Sequence, residues 1–224
     1  MNKKIEHAVI LAAGRGVRMR PLTDKMPKAM APLKGTTLIA NGIRNIKKNL
    51  NNIYITVGHK RSMLASHVIE KDVNAVINTN NKGNAWWIFN SILKYLDKPI
   101  IVLTCDNVVD MDFNKIISDY FKLGSPHCML VPTDPIKGLD GDYIFIDKNN
   151  LITKISRVKK SDLYCSGIQI LNLKLIIRDL KKCDDFNSVW KQLINKKKIY
   201  CGFTKPHKWY SVDNTNQLKK INNK

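Results

Sequence analysis

Apolar and polar positions follow two periods along this chain. Apolar runs at 7–13 and 99–104, and apolar-rich segments at 52–57 and 73–77, predict strands. Between them, apolar residues recur at helical spacing. Leu38, Ile39, Ile43, Ile46 and Leu50 predict a helix over 38–50, and a further helix is expected over 63–70. Residues 83–96 predict one long helix, with Ala85, Trp86, Ile88, Phe89, Ile92, Leu93 and Leu96 on a broad apolar face. Further on, a helix is predicted over 113–121 and strands over 128–131, 143–146 and 151–156, the last two joined by a turn at 147–150. A strand over 165–171, helices over 173–180 and 186–194, a strand over 199–203, the 209–212 segment leading to Asp213, and a helix over 216–221 complete the pattern. Strands alternating with helices predict an α/β fold, a three-layer α/β/α arrangement on a mixed, mostly parallel, Rossmann-like sheet.

Ligands of open α/β sheets lie at the carboxyl ends of the strands. The 14–20 loop and Asp106 both fall at such ends, so two distant stretches are expected on one face. The loop, Gly14-Arg15-Gly16-Val17-Arg18-Met19, carries two glycines and is followed by Lys28. Glycine lets backbone N–H groups approach phosphate oxygens, and arginine or lysine neutralises their charge. Taken alone, the G-x-G is equally a plain strand-to-helix turn. It lacks the third glycine of a dinucleotide fingerprint and the G-K-[ST] ending of a P-loop.

The longer string, Leu11-Ala12-Ala13-Gly14-Arg15-Gly16 through Arg18-Met19, Pro21-Leu22-Thr23 and Pro27-Lys28, is more specific. It resembles the signature of nucleotidyltransferases that activate sugar 1-phosphates and phosphocholine-like compounds. The resemblance implies a nucleoside triphosphate held by Leu11, Ala12, Ala13, Gly14, Arg15 and Gly16, with Arg18 and Lys28 on its phosphates. It also implies the reaction of a triphosphate with a phosphorylated small molecule, releasing pyrophosphate. Layout matches along the whole chain, read as a single nucleotidyltransferase domain over 1–224 with no acyltransferase extension.

Asp106 follows an apolar strand, and Asp213 precedes the final helix. Locally, Asp106 is a turn former or a ligand, and Asp213 a helix cap or a ligand. In the similar family an aspartate at each place holds Mg²⁺, and Mg²⁺ suits one or two carboxylates plus substrate phosphates. The sugar enzymes carry Gly-Asp and Asp-x-Gly-Thr at these places, whereas this chain has Cys105-Asp106-Asn107 and Asp213-Asn214. That ending is closer to the phosphocholine cytidylyltransferase branch, in which a further carboxylate stands where this chain has Ser211.

In the 82–91 segment, Asn84 and Ala85 take the place where relatives meet the nucleoside. Trp87 could hold a cationic amine by cation–π attraction, while Trp86 is read as core. Asp142, Tyr164 and Gly167 fall where the family builds its acceptor site, although Asp142 could equally cap the 138–141 turn. These features favour CTP and a small phosphorylated amine, amide or phosphonate. The alternative is a sugar 1-phosphate with another nucleotide, in a surface-polysaccharide pathway.

The net charge of +20 brings in a nucleic-acid-binding reading. The lysines are dispersed and many stand beside asparagines, as in Asn195-Lys196-Lys197-Lys198, so composition explains the charge without such a partner. A basic surface still speeds the arrival of anionic substrates. Five cysteines, an odd number without C-x-x-C spacing, argue against a zinc site and a disulfide framework. The 7–13 run is too short to span a bilayer, so a cytoplasmic protein without membrane insertion is expected, as monomer or homodimer.

Overall fold

The computed structural model describes residues 4–139 and 141–223. Met1–Lys3, Asp140 and Lys224 lie outside them, Asp140 being part of the expected 138–141 turn. The chain forms two compact units. Among the described residues one comprises 4–5, 83–102, 111–139 and 141–207, and the other 6–82, 103–110 and 208–223. The strand Ile100–Thr104 is divided between them after Val102.

In the second unit, His7–Leu11 pairs in parallel with Asn52–Val57, with His7 opposite Asn52 and Leu11 opposite Thr56. Asn52–Val57 pairs in parallel with Ala75–Asn78. Their Ile and Val side chains are stiff at χ1 and suit the buried pleat. The helix Leu38–Lys47 buries Leu38, Ile39, Ile43 and Ile46, and Thr37 caps it by accepting from the Ala40 N–H at 3.2 Å. Asn107–Asp110 pairs antiparallel with Lys208–Ser211, placing Ser211 opposite Asn107. The strand at 107–110 was not foreseen, because Asn-Val-Val-Asp is too short to show a period.

In the first unit, Cys128–Thr133 is buried along its whole length. It runs antiparallel to Tyr164–Leu171 and parallel to Ile199–Cys201. Tyr143–Ile146 and Ile152–Ser156 form an antiparallel pair, with Asp147 Oδ1 accepting from the Asn149 and Leu151 N–H groups in the turn between them. The mixed α/β pattern of both units bears out the expected fold class.

The predicted 83–96 helix is a correction. The α-helix covers only Trp86–Asn90, and a 3₁₀ turn follows over Ile92–Tyr95. Ser91 between them is extended, and its hydroxyl donates to the Trp87 carbonyl at 2.7 Å and accepts from the Leu93 N–H at 3.2 Å. A side chain that satisfies the backbone locally competes with helix continuation. Ile92 is accordingly 70 % exposed, off the apolar face assigned to it.

Asp119, on the helix Phe113–Lys122, is buried and accepts from the Phe203 and Thr204 N–H groups at 3.1 and 2.7 Å. Asp119→Ala would strand both donors, and urea unfolding should show a loss of about 2–3 kcal/mol. Asp119→Asn, which keeps an acceptor oxygen, should lose less.

Candidate active site

The loop at the end of the strand His7–Leu11 is fastened at its start. The Ala12 N–H donates to the Thr56 carbonyl and hydroxyl at 3.2 and 3.1 Å, and the Ala13 carbonyl accepts from the His59 N–H at 3.1 Å. Gly16 has φ +61°, and a Cβ there would stand 2.7 Å from the Lys28 Cβ. Both conditions call for glycine. Gly14 differs: it is exposed, its φ is not positive, and a Cβ would meet nothing within 4 Å. Neither backbone geometry nor packing requires a glycine at that position.

Beyond Gly16, Met19 drops into an apolar cluster with Ala31, Leu33, Leu38, Val212 and Leu218. This cluster packs the 17–38 segment against the residues that flank Asp213. Charged side chains are thereby gathered above an apolar floor. The Lys28 residue is 9 % exposed, and its Nζ donates to Asp106 Oδ2 at 2.5 Å and to Asp213 Oδ1 at 3.0 Å. Arg18 Nη2 donates to the same Asp213 oxygen at 2.8 Å. Arg15 is exposed on the loop.

Two backbone devices aim the carboxylates. The Cys105 N–H donates to the Leu11 carbonyl at 3.1 Å, and the Asp106 carbonyl accepts from the Val212 N–H at 2.9 Å. The final helix, Thr215–Asn222, is capped by Asn214 in a reciprocal box with Gln217. Asp213 is thus not the cap, and its carboxylate is left for Lys28, Arg18 and Ser211. Asp106 likewise spends Oδ2 on Lys28.

Burial pushes the Lys28 ammonium pKa down, but Asp106 and then Asp213 outweigh it, so the value lies above 10.5. For Asp213 burial acts upward, and Lys28 and Arg18 outweigh it to hold the carboxyl below 3.8. Loss of solvent, with Asp106 alongside, pushes the Cys105 thiol up to about 12, so it is a neutral thiol at physiological pH. Among the described residues no group of three or more His, Cys, Asp or Glu could hold a metal ion. Two carboxylates converging on one ammonium nevertheless form an all-oxygen pair of the kind Mg²⁺ accepts beside phosphates and water.

A model of the nucleotidyl transferase family matches residues 7–224. The chain belongs to that family. A relative, the bifunctional protein GlmU of Methanocaldococcus jannaschii, is 23 % identical over 75 % of this chain and 40 % of its own length. The chain spans less than half the length of the GlmU relatives it matches. Solved structures share the fold. An inositol-1-phosphate CTP transferase from T. maritima gives a TM-score of 0.76 at 18 % identity, covering 97 % of this chain and 96 % of that one. A UDP-glucose pyrophosphorylase complexed with UDP-glucose gives 0.77 at 16 % identity, covering 98 % of each.

The remaining expected site residues belong to the first unit. Asn84 accepts from the Phe186 N–H through Oδ1 at 2.9 Å, and Ala85 donates its N–H to the Asp184 carbonyl at 2.9 Å. Trp87 is 0 % exposed, and its Nε1 donates to the Asn84 carbonyl at 3.0 Å. Trp87, expected to face an acceptor, is instead packed in the core, and Trp86 is half-buried. Tyr164 is 2 % exposed, its hydroxyl donates to the Leu139 carbonyl at 3.0 Å, and its ring meets Tyr143 edge-on. Gly167, at φ +76°, sits in the register shift of its strand between Cys165 and Gln169. Asp142 pairs with Arg157 at 2.9 Å on an open cleft of ≈540 Å³ that also includes Trp190 and Lys191.

Gln217 escaped the sequence reading, although the Asn-x-x-Gln spacing before an apolar position was a visible cue. Its Oε1 accepts from the Asp213 N–H at 2.6 Å. The ion network carries a pH prediction. Asp213, with its carboxyl held low, stabilises the fold above 3.8 and loses that effect as pH falls through its lowered value. Lys28→Met removes the main cause of the lowering. Its melting temperature should fall below the parent's at pH 7, and the gap should close as the pH drops below 3.8 in calorimetric scans.

Proposed function

We propose that this chain transfers a nucleotidyl group from a nucleoside triphosphate to the phosphate of a small acceptor, releasing pyrophosphate. The observation that carries the reading is the Arg18, Lys28, Asp106 and Asp213 network beneath a loop whose exposed Gly14 the fold does not need. A glycine free of packing duty leaves the backbone open to close approach by phosphate oxygens.

An acceptor phosphate oxygen attacks the α-phosphorus, a new P–O–P linkage forms, and the bond to the β-phosphate oxygen breaks. The acceptor oxygen is already anionic at neutral pH, so no protein base is needed. Lys28 stabilises the charge that develops around the α-phosphate, and Arg18 with the 12–16 backbone holds the β- and γ-phosphates. Leaving Asp106 and Asp213 for phosphate is electrostatically favourable once those carboxylates have another cation. Mg²⁺ held by Asp106 and Asp213 would supply that charge and draw the anionic reactants together.

CTP remains the favoured triphosphate, on the Asp106-Asn107 and Asp213 endings. For the acceptor, burial of Trp87 removes the aromatic face proposed for an amine. The names of the similar structures, inositol-1-phosphate CTP transferase and UDP-glucose pyrophosphorylase, favour a sugar or polyol phosphate over a choline-type compound.

Pyrophosphate release with Mg²⁺, scanning five triphosphates against sugar, polyol and amine phosphates, tests the reading. Turnover is expected with CTP and a sugar or polyol phosphate. Release with no pair of substrates would overturn it. Lys28→Ala should lower the turnover rate about 10²–10³-fold. Gly14→Ala should leave stability within about 0.5 kcal/mol. The same change should weaken triphosphate binding roughly tenfold, about 1.4 kcal/mol, in calorimetric titration.

A further inference from the structure

We infer that Ser211 and Gln217 are positioning residues that lock Asp213 as one of two carboxylate ligands for a single divalent cation. The inference rests on the transferase reading only for its use of the metal. Every polar group of the Asp213 side chain is engaged. Oδ1 accepts from Lys28 at 3.0 Å and Arg18 at 2.8 Å, and Oδ2 accepts from the Ser211 hydroxyl at 3.1 Å. Its backbone N–H is taken by Gln217 Oε1 at 2.6 Å, and that same oxygen accepts from the Asn214 N–H at 3.2 Å. A short carboxylate side chain with both oxygens and its own backbone fixed has one orientation, which is what a ligand set in advance requires.

The register of the ribbon explains why a serine serves here. Ser211 faces Asn107, the neighbour of Asp106, and is 8 % exposed. A carboxylate at 211 would add a third negative group beside two and could support a second cation. The hydroxyl adds a donor instead. The balance becomes two carboxylates against Lys28 and Arg18 before substrate binds, and two carboxylates against one divalent ion when that ion takes over. Gln217 enters from the last helix, so the capping box does double duty as the backbone clamp of the ligand.

The test is a titration of the full chain with Mn²⁺ alone, followed by water-proton relaxation. The parent should bind one ion. Ser211→Ala and Gln217→Ala should each weaken Mn²⁺ binding about tenfold. Ser211→Thr should keep the parent affinity, Asp213→Asn should lose binding, and Ser211→Asp should admit a second ion. In the pyrophosphate assay the Ser211→Ala deficit should appear in the Mg²⁺ concentration at half-maximal rate more than in the rate at saturating Mg²⁺. Unchanged Mn²⁺ affinity in both alanine variants, two ions on the parent, or none, would overturn the inference. If Ser211→Ala does not fold, Gln217→Ala decides alone. Mn²⁺ binding with this pattern but no pyrophosphate from any triphosphate would reject the transferase reading and uphold the positioning. Transfer with unaltered affinities would do the opposite.

Discussion

The Lys28 ammonium between Asp106 and Asp213 is the contact on which the site depends. Three residues far apart in the chain must place their charged ends within hydrogen-bonding reach of one another. Removing a charge from water is unfavourable, and Lys28 remains an ammonium because two carboxylates surround it. The network is held by backbone geometry. The antiparallel register of Asn107–Asp110 with Lys208–Ser211 sets Asp106 and Asp213 just past the same end of the ribbon. A slip of one residue would turn their side chains to opposite faces.

Below this polar layer, the cluster of Met19, Ala31, Leu33, Leu38, Val212 and Leu218 ties the phosphate-type loop to the last helix. The apolar contacts do not choose a ligand. They supply a floor that keeps Arg18, Lys28 and Asp213 together. Elsewhere the chain spends its carboxylates structurally: Asp112 and Asp185 cap helices, and Asp119 holds a loop. Asp106 and Asp213 stand apart because both accept from the Lys28 ammonium. Asn214 caps the last helix, leaving Asp213 available.

The aromatic segment shows the limit of periodicity. Trp86 and Trp87 are adjacent, so an apolar helix face can take only one fully. Ser91 ends the helix after five residues. Trp87 fills the core and Trp86 lies half-buried. The purpose of Asn84 is similarly local, since its carboxamide secures the Phe186 backbone. The first unit is therefore best understood from the hydrogen bonds that organise its turns.

Much of this protein was legible along the chain. Apolar-rich segments located the strands His7–Leu11, Asn52–Val57 and Ile100–Thr104 to within about two residues. The Leu11 to Lys28 string pointed to phosphate chemistry, and Asp106 and Asp213 stood out as carboxylates at strand ends. These signals are local, arising from burial on both sides of a strand and from residue types that suit phosphate. What local signals could not supply was partnership. Whether Asp213 capped a helix or faced a lysine was settled by Asn214 and Gln217 taking the cap, and which tryptophan was buried by the packing of the folded chain. The strand Asn107–Asp110 exists because Lys208–Ser211 lies beside it, about a hundred residues away in sequence. Spacing determined the candidates, and tertiary pairing decided their roles, because a hydrogen bond or ion pair has meaning only once both partners are in place.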